Sequence, residues 1–229
     1  MIRILSIFLF TLISTKAFAF PETRMKPISR SEFLKLKADP NYNFEGSLSI
    51  GSPMWGGCSA SLIRFENSKD TDTAVALTNG HCLSAGMPSY KTYVYHKADN
   101  QSFTVLSASA EELGRVRATE VMYGTMTNTD IALFKLNTTY LDIWNQYGVR
   151  PYTLSSKHPT AKTSMQIISG FWKRGYSCNI DYFVFRLIEG EWTSEDSIRY
   201  TNPGCETIGG TSGSPILEAG TRNVIGINN

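Results

Sequence analysis

The chain has 229 residues, 41% hydrophobic and 18% charged, a composition that excludes a disordered chain, which needs low hydrophobicity and high net charge. Its formal net charge of +2 comes entirely from Arg3 and Lys16, because without these two residues 20 basic residues face 20 acidic ones. The neutrality of the remaining chain argues against a nucleic-acid partner, since nucleic-acid binders usually show a basic excess.

The first predicted element is an export signal over residues 1–19. Arg3 precedes an apolar stretch from Ile4 to Ile13, and Ala17-Phe18-Ala19 has the small-x-small pattern of a signal-peptidase site. The alternative is a membrane anchor, but a span needs about 20 apolar residues and this run is about half as long. We therefore expect a secreted or periplasmic protein that begins near Phe20 and has no membrane partner after cleavage.

Residues 20–43 are polar and contain Pro21, Pro27 and Pro40. Two interpretations of this segment remain open. It is either an extended N-terminal arm or a propeptide that is removed on activation.

From about residue 44 onward, short runs rich in β-branched and aromatic residues alternate with turn residues. Examples are Ala74–Thr78, Ile131–Leu136 and Tyr182–Leu187, each bounded by Gly, Asn, Asp or Pro. Many short strands without intervening helices predict an all-β sandwich or barrel. In this part of the chain only 108–113 favours a short helix, and 137–159 is typical of a connector between two β units.

Four cysteines in an exported chain favour two disulfides over a metal site. The chain has no C-x-x-C pair of the zinc type, so we expect no metal ion. We also expect no cofactor. The residues alone leave three pairings open. The cysteines are Cys58, Cys82, Cys178 and Cys205.

Three segments carry residue types that can act together in nucleophilic catalysis. Thr78-Asn79-Gly80-His81-Cys82 places a histidine after a strand, Thr129-Asp130 places an aspartate before an apolar strand, and Gly209–Pro215 places Ser212 in a glycine-rich turn. A serine hydroxyl needs an imidazole to take its proton, and the imidazole needs a carboxylate to orient it. A glycine-rich turn also lets backbone N–H groups converge on one developing oxyanion.

The TNGHC, TDIALFKL and GGTSGSP segments resemble the signature blocks of the chymotrypsin-like (trypsin-like) serine proteases. The Ser-Gly-Ser-Pro ending resembles the bacterial glutamyl-endopeptidase branch of that family. The resemblance, which extends from about Gly46 to the C-terminus, implies two six-stranded antiparallel β-barrels. We place the first barrel at 44–140 and the connector with the second barrel at 141–229, both in one protease domain.

The resemblance also implies a function and the residues that perform it. His81 would be the general base, Asp130 its orienting carboxylate and Ser212 the nucleophile, with the N–H groups of Gly210 and Ser212 forming the oxyanion hole. The expected protein is a monomeric, secreted serine endopeptidase that cleaves protein or peptide substrates through an acyl-enzyme intermediate.

The same resemblance implies a disulfide pairing. Cys82, beside the histidine, resembles a family cysteine that bridges back to the preceding strand, and Cys58 fits its partner. Cys178 and Cys205 then remain for the second bridge.

The chain departs from the family pattern around the nucleophile and the substrate pocket. Thr211 stands where animal relatives have an aspartate that captures a new N-terminal amine, so we do not expect activation by that ion pair. Glu206, Thr207 and Asn228 are the candidate pocket residues. Thr207 matches a hydroxyl residue of the glutamyl branch, Asn228 replaces a histidine of that branch, and Glu206 would instead attract a basic side chain.

The sequence ends at Asn229, whereas the relatives that it resembles continue with a strand that walls the substrate pocket. Two interpretations remain open: either the reading frame is truncated, or the C-terminal end of the second barrel is shortened in the protein itself. The main alternative function is a protease-like extracellular binding module with impaired catalysis.

Overall fold

The computed structural model describes residues 38–52 and 56–229. The export signal predicted at 1–19 and most of the arm or propeptide predicted at 20–43 lie outside the described residues, so both stay predictions. None of the helices in the described ranges is long and apolar enough to cross a membrane.

The first half of the fold is a closed barrel. Its strands are β1 (Ser47–Ser52), β2 (Gly56–Arg64), β3 (Thr73–Thr78), β4 (Tyr93–Ala98), β5 (Ser102–Leu106), β6 (Glu112–Thr125) and β7 (Ile131–Thr139). Six of them pair antiparallel in the order β1-β5-β6-β7-β3-β2, β2 pairs again with β1, and β4 adds to β6. Alternating apolar side chains point inward, and the rings of Phe103 and Phe134 meet edge to face at 5.3 Å.

The second half begins with one helix and continues with six strands. The helix is α1 (Tyr140–Tyr147), and the strands are β8 (Tyr152–Leu154), β9 (Ser164–Ser169), β10 (Arg174–Glu189), β11 (Trp192–Tyr200), β12 (Pro215–Glu218) and β13 (Asn223–Ile227). The pairing order is β8-β13-β12-β9-β10-β11, and no pairing among the described residues joins β11 back to β8. The predicted all-β fold is confirmed, with the first set of strands closed and the second set open.

β8 connects the two halves. It runs parallel to β2, with Ile63 opposite Tyr152, and parallel to β13, with Val224 opposite Leu154. Tyr152 is buried in the cluster of apolar side chains around this junction. The sheet is therefore continuous from the first barrel into the second set of strands.

The helix predicted at 108–113 is wrong. Those residues form a turn, in which the Ala110 N–H donates to the Ser107 carbonyl, and β6 starts at Glu112. The helix lies instead at α1, which starts with a capping box between Thr139 and Asp142 and ends at Gly148 in the left-handed conformation. The Thr-x-x-Asp pattern followed by glycine is the signal that could have located α1.

Candidate active site

His81 lies in a short 3-10 turn, Gly80–Cys82, directly after β3. Gly80 is required here, because a Cβ at this position would lie 2.1 Å from the Thr125 carbonyl oxygen. The His81 ring Nδ1 is 2.6 Å from Asp130 Oδ2, and the His81 backbone N–H donates to Asp130 Oδ1 at 3.1 Å. Both carboxylate oxygens therefore orient the histidine and leave its Nε2 available for another group.

Asp130 precedes β7 and is 7% exposed. Its backbone carbonyl accepts a hydrogen bond of 2.7 Å from the side-chain amide of Asn79, which is completely buried. Asn79 thus holds the main chain of the aspartate while His81 contacts its carboxylate. The sequence indicated no role for Asn79, since its only signal was its place two residues before His81.

Ser212 lies in a loop, Ile208–Ser214, that we call the serine loop. The Ser212 carbonyl accepts a hydrogen bond from the Ser59 N–H at 2.8 Å. Gly213, with φ +82°, allows this approach, because a Cβ there would lie 2.1 Å from the Ser59 carbonyl oxygen and 2.2 Å from Thr78 Oγ1. Thr78 ends the strand that leads into the His81 turn, so the serine loop packs against the segment that positions His81. The hydrogen bonds of the described residues include none between Ser212 and His81, and such bonds are often long before substrate binds.

The carbonyl groups of Gly209 and Gly210, which precede the nucleophile, accept hydrogen bonds from other segments of the protein. Gly209 O accepts a hydrogen bond of 2.7 Å from the Trp172 indole, and Gly210 O accepts one of 3.1 Å from Ser59 Oγ. In a trans peptide the N–H points opposite to the carbonyl, so the Gly210 N–H points away from Trp172. Within the described chain the N–H groups of Gly210 and Ser212 donate to no protein acceptor. They are therefore available to a ligand oxygen.

The three candidate pocket residues have different surroundings. Glu206 is exposed, and the Thr207 hydroxyl lies 3.3 Å from the Tyr200 hydroxyl. Asn228 is buried, and its amide donates to Thr211 Oγ1 at 3.2 Å. Hydrogen bonding in the described chain does not join the three to one another, so a pocket built from them stays a prediction.

Two disulfides join the cysteines in the predicted pairing, which is confirmed. Cys58–Cys82 and Cys178–Cys205 have Cα–Cα distances of 6.2 Å and 5.5 Å. The first bridge ties β2 to the residue after His81. Although the sulfur atoms of Cys58 and Cys82 lie within 4.8 Å of a ring nitrogen of His81, they are in a disulfide and offer no thiolate to a metal ion.

A cavity of about 410 Å³ beside α1 is lined by none of the candidate catalytic residues. Its arginines have partners within the protein. Arg64 pairs with Asp70 at 2.9 Å and Arg150 pairs with Glu45 at 2.9 Å. The candidate chemistry thus lies on the serine loop and the His81 turn rather than in this cavity.

Residues 60–227 match the family model described as trypsin-like peptidase domain. No curated protein matches the sequence. Among solved structures, the chain is similar to the apo MamO protease domain from Magnetospirillum magneticum, with 14% identity and a TM-score of 0.53 over 80% of this chain and 83% of that one. It is similar to Deg5 with 14% identity and a TM-score of 0.53, over 82% of this chain and 81% of that one.

A glutamic-acid-specific serine protease is also similar, with 16% identity and a TM-score of 0.47 over 80% of this chain and 82% of that one. The likeness to the first two structures confirms the predicted chymotrypsin-like fold. Because the matched residues 60–227 make up well over half of the sequence, the chain belongs to the trypsin-like peptidase domain family.

Proposed function

We propose that the protein is a secreted or periplasmic serine endopeptidase that uses Ser212, His81 and Asp130. Membership of a peptidase family supports hydrolysis of protein or peptide substrates. The single observation that carries the proposal is the His81–Asp130 contact of 2.6 Å, made by a buried carboxylate in a fold of this family. A histidine oriented in this way is suited to take a proton from a serine.

The catalytic steps follow from the atoms available. As Ser212 Oγ attacks the scissile carbonyl, His81 Nε2 takes the hydroxyl proton, and Asp130 stabilises the resulting imidazolium through Nδ1. The carbonyl oxygen becomes negative and accepts hydrogen bonds from the N–H groups of Gly210 and Ser212. His81 then gives its proton to the leaving amine, which breaks the peptide bond and leaves an acyl-enzyme. A water molecule, deprotonated by His81, hydrolyses this ester and restores Ser212.

Export is supported by the two disulfides, because such bonds persist in oxidising compartments. We propose a monomer without a cofactor. The Ser-Gly-Ser-Pro sequence at Ser212–Pro215 and the Thr207 hydroxyl favour the glutamyl-endopeptidase branch, whereas the exposed carboxylate of Glu206 favours a basic substrate residue. A panel of peptides differing only in the residue before the cleaved bond would separate these two preferences.

A second candidate is a protease-like extracellular binding module with impaired catalysis. The observation that favours it is the lack, within the described chain, of a hydrogen bond between Ser212 and His81. This candidate predicts binding of peptides without covalent chemistry at Ser212.

A fluorophosphonate probe, which reacts only with an activated serine, tests the proposal directly. We expect the full chain to be labelled and the Ser212→Ala variant to be unlabelled, because only an oriented imidazole makes this hydroxyl nucleophilic. The Ser156→Ala variant, which removes an exposed serine outside the site, is the matched control and should label like wild type. Equal labelling of wild type and Ser212→Ala would contradict the proposal, and absence of labelling in both would favour the binding module.

A further inference from the structure

Thr211, the residue before the nucleophile, is only 2% exposed, and its hydroxyl both donates and accepts a hydrogen bond. Its Oγ1 donates to the Ile208 carbonyl at 2.6 Å and accepts from the Asn228 side-chain amide at 3.2 Å. Both partners are uncharged. The serine loop therefore satisfies this buried position without an ion pair.

Asn228 also holds the residues after the nucleophile. Its backbone N–H donates to the Ser214 carbonyl at 2.9 Å, and its own carbonyl accepts from the Gly213 N–H at 2.9 Å. Asn228 is 4% exposed, so these bonds are shielded from water. One residue that follows β13 thus bonds to the loop on both sides of Ser212.

We propose that Asn228 is a positioning residue that holds Ser212 and the oxyanion N–H groups in place through Thr211, Gly213 and Ser214. This inference rests on the proposed function and adds a specific support for the nucleophile. The hydrogen bond from the Asn228 side chain to Thr211 is the contact that mutation can remove, since the backbone atoms of Asn228 are present in any variant. Catalysis is sensitive to such support, because a shift of about 1 Å in a reacting group lowers rates by about 100-fold.

The test compares rate constants for fluorophosphonate labelling in the full chain. Thr211→Val removes the hydroxyl and Asn228→Leu removes the amide donor, while both keep the approximate shape of the side chain. We expect Asn228→Leu to label about ten-fold more slowly, the equivalent of one lost hydrogen bond. Thr211→Val should label at least as slowly, because it also loses the bond to the Ile208 carbonyl. Because the bond that Asn228→Leu breaks is already absent in Thr211→Val, the double variant should be no slower than the slower single variant.

Positioning and simple destabilisation give different results. For a peptide substrate we expect kcat to fall and KM to stay within about two-fold of wild type, as for an interaction made in the transition state. Thr211→Ser keeps the hydroxyl and should restore most of the labelling rate. Thr221→Val is the matched control, since Thr221 Oγ1 makes the same type of bond, to the Glu218 carbonyl at 2.8 Å, outside the serine loop. Thr221→Val should label like wild type.

Labelling of Thr211→Val at the wild-type rate, or rate losses that multiply in the double variant, would overturn the inference. If wild type itself is not labelled, the proposed function fails, and amide hydrogen exchange still tests the positioning role. In that case the N–H groups of Gly213 and Ser214 should exchange at least several-fold faster in Asn228→Leu than in wild type. Unchanged exchange at both amides would overturn the inference independently of catalysis.

Discussion

Ser59 and Ser61 lie two residues apart on the same face of β2, and both are fully buried. Their hydroxyl groups have opposite surroundings. Ser59 Oγ contacts Ser169 Oγ at 2.9 Å, the Gly210 carbonyl at 3.1 Å and the Phe171 N–H at 3.3 Å. Ser61 Oγ has no hydrogen-bond partner within the described chain. Only the first serine therefore links the barrel to the serine loop.

We expect Ser59→Ala to lower the free energy of unfolding by about 1–3 kcal/mol, because the Ser169 hydroxyl, the Phe171 N–H and the half-buried Gly210 carbonyl each lose a hydrogen-bond partner. Ser61→Ala should leave the free energy of unfolding unchanged or slightly raise it, because it removes a buried hydroxyl that makes no bond. Urea denaturation of the two variants against wild type measures both effects. Equal losses would show that the contacts of Ser59 contribute nothing specific.

The β10–β11 hairpin is the element that reaches from the second half of the fold to the candidate active site. The Asn128 N–H donates to the Thr193 carbonyl at 2.9 Å, and the Glu195 N–H donates to the Asn128 carbonyl at 2.8 Å. The indole of Trp192 donates to the Pro88 carbonyl at 3.0 Å. Since Asn128 lies two residues before Asp130, the hairpin tip fixes the loop that carries the candidate catalytic aspartate.

A histidine holds the same hairpin to the connector. His158 Nε2 is 2.8 Å from Asp196 Oδ2, and His158 Nδ1 is 2.6 Å from the Pro159 carbonyl. The carboxylate of Asp196 and then this carbonyl raise the pKa of His158 above its ordinary value of 6.5. With acceptors at both ring nitrogens, the protonated imidazolium is the form that makes both bonds.

The anchoring of the hairpin should therefore depend on pH. A raised pKa means that the stabilisation is complete below about pH 6.5 and is lost as the pH rises through the folded-state pKa. In Asp196→Asn, whose side chain tolerates the left-handed backbone at this position (φ +53°), the pKa of His158 should fall. An NMR titration of the His158 ring protons measures it. An unchanged pKa would show that Asp196 does not stabilise the imidazolium.

Across the whole molecule, a buried carboxylate joins three distant segments. Glu45 Oε1 accepts from the backbone and side chain of Arg150, each at 2.9 Å, and Arg222 Nη1 lies 3.4 Å from Glu45 Oε2. These residues belong to the segment before β1, the connector and the β12–β13 turn. Hydrogen bonds from Arg150 hold the pKa of Glu45 below its ordinary value of 4.5.

We expect Glu45→Gln to lower the free energy of unfolding at pH 7 by about 1–3 kcal/mol, because hydrogen bonds to a charged group are lost. A lowered pKa means that this stabilisation is present above about pH 4.5 and is lost as the pH falls through the folded-state pKa. The difference from wild type should therefore shrink in acid. Urea titrations at several pH values measure it. Glu112→Gln, which removes an exposed ion pair of 3.4 Å with Lys173, is the control and should change stability by less than about 0.5 kcal/mol.

The all-β fold, the disulfide pairing and strands such as Ala74–Thr78 in β3 could be predicted because they depend on local residue patterns or on family motifs. The contacts that support the serine loop could not. Ser59 is 151 residues from Gly210 in the sequence and 110 residues from Ser169, and no local sequence pattern indicates contacts between residues so far apart. The α1 helix escaped prediction because it has only eight residues, too few to show the helical period of apolar residues clearly in the sequence.

The close approach at Gly213 has an evolutionary consequence. Any side chain there would collide with both the Ser59 carbonyl and the Thr78 hydroxyl, so a replacement would require two other segments to move together. Glycine at this position is thus constrained by packing rather than by chemistry. A descendant that had lost its enzymatic role would be free to change Ser212 and would still have to keep Gly213. Among relatives of this chain, we therefore expect the residue at Ser212, and not the glycine at 213, to differ between active and inactive proteins.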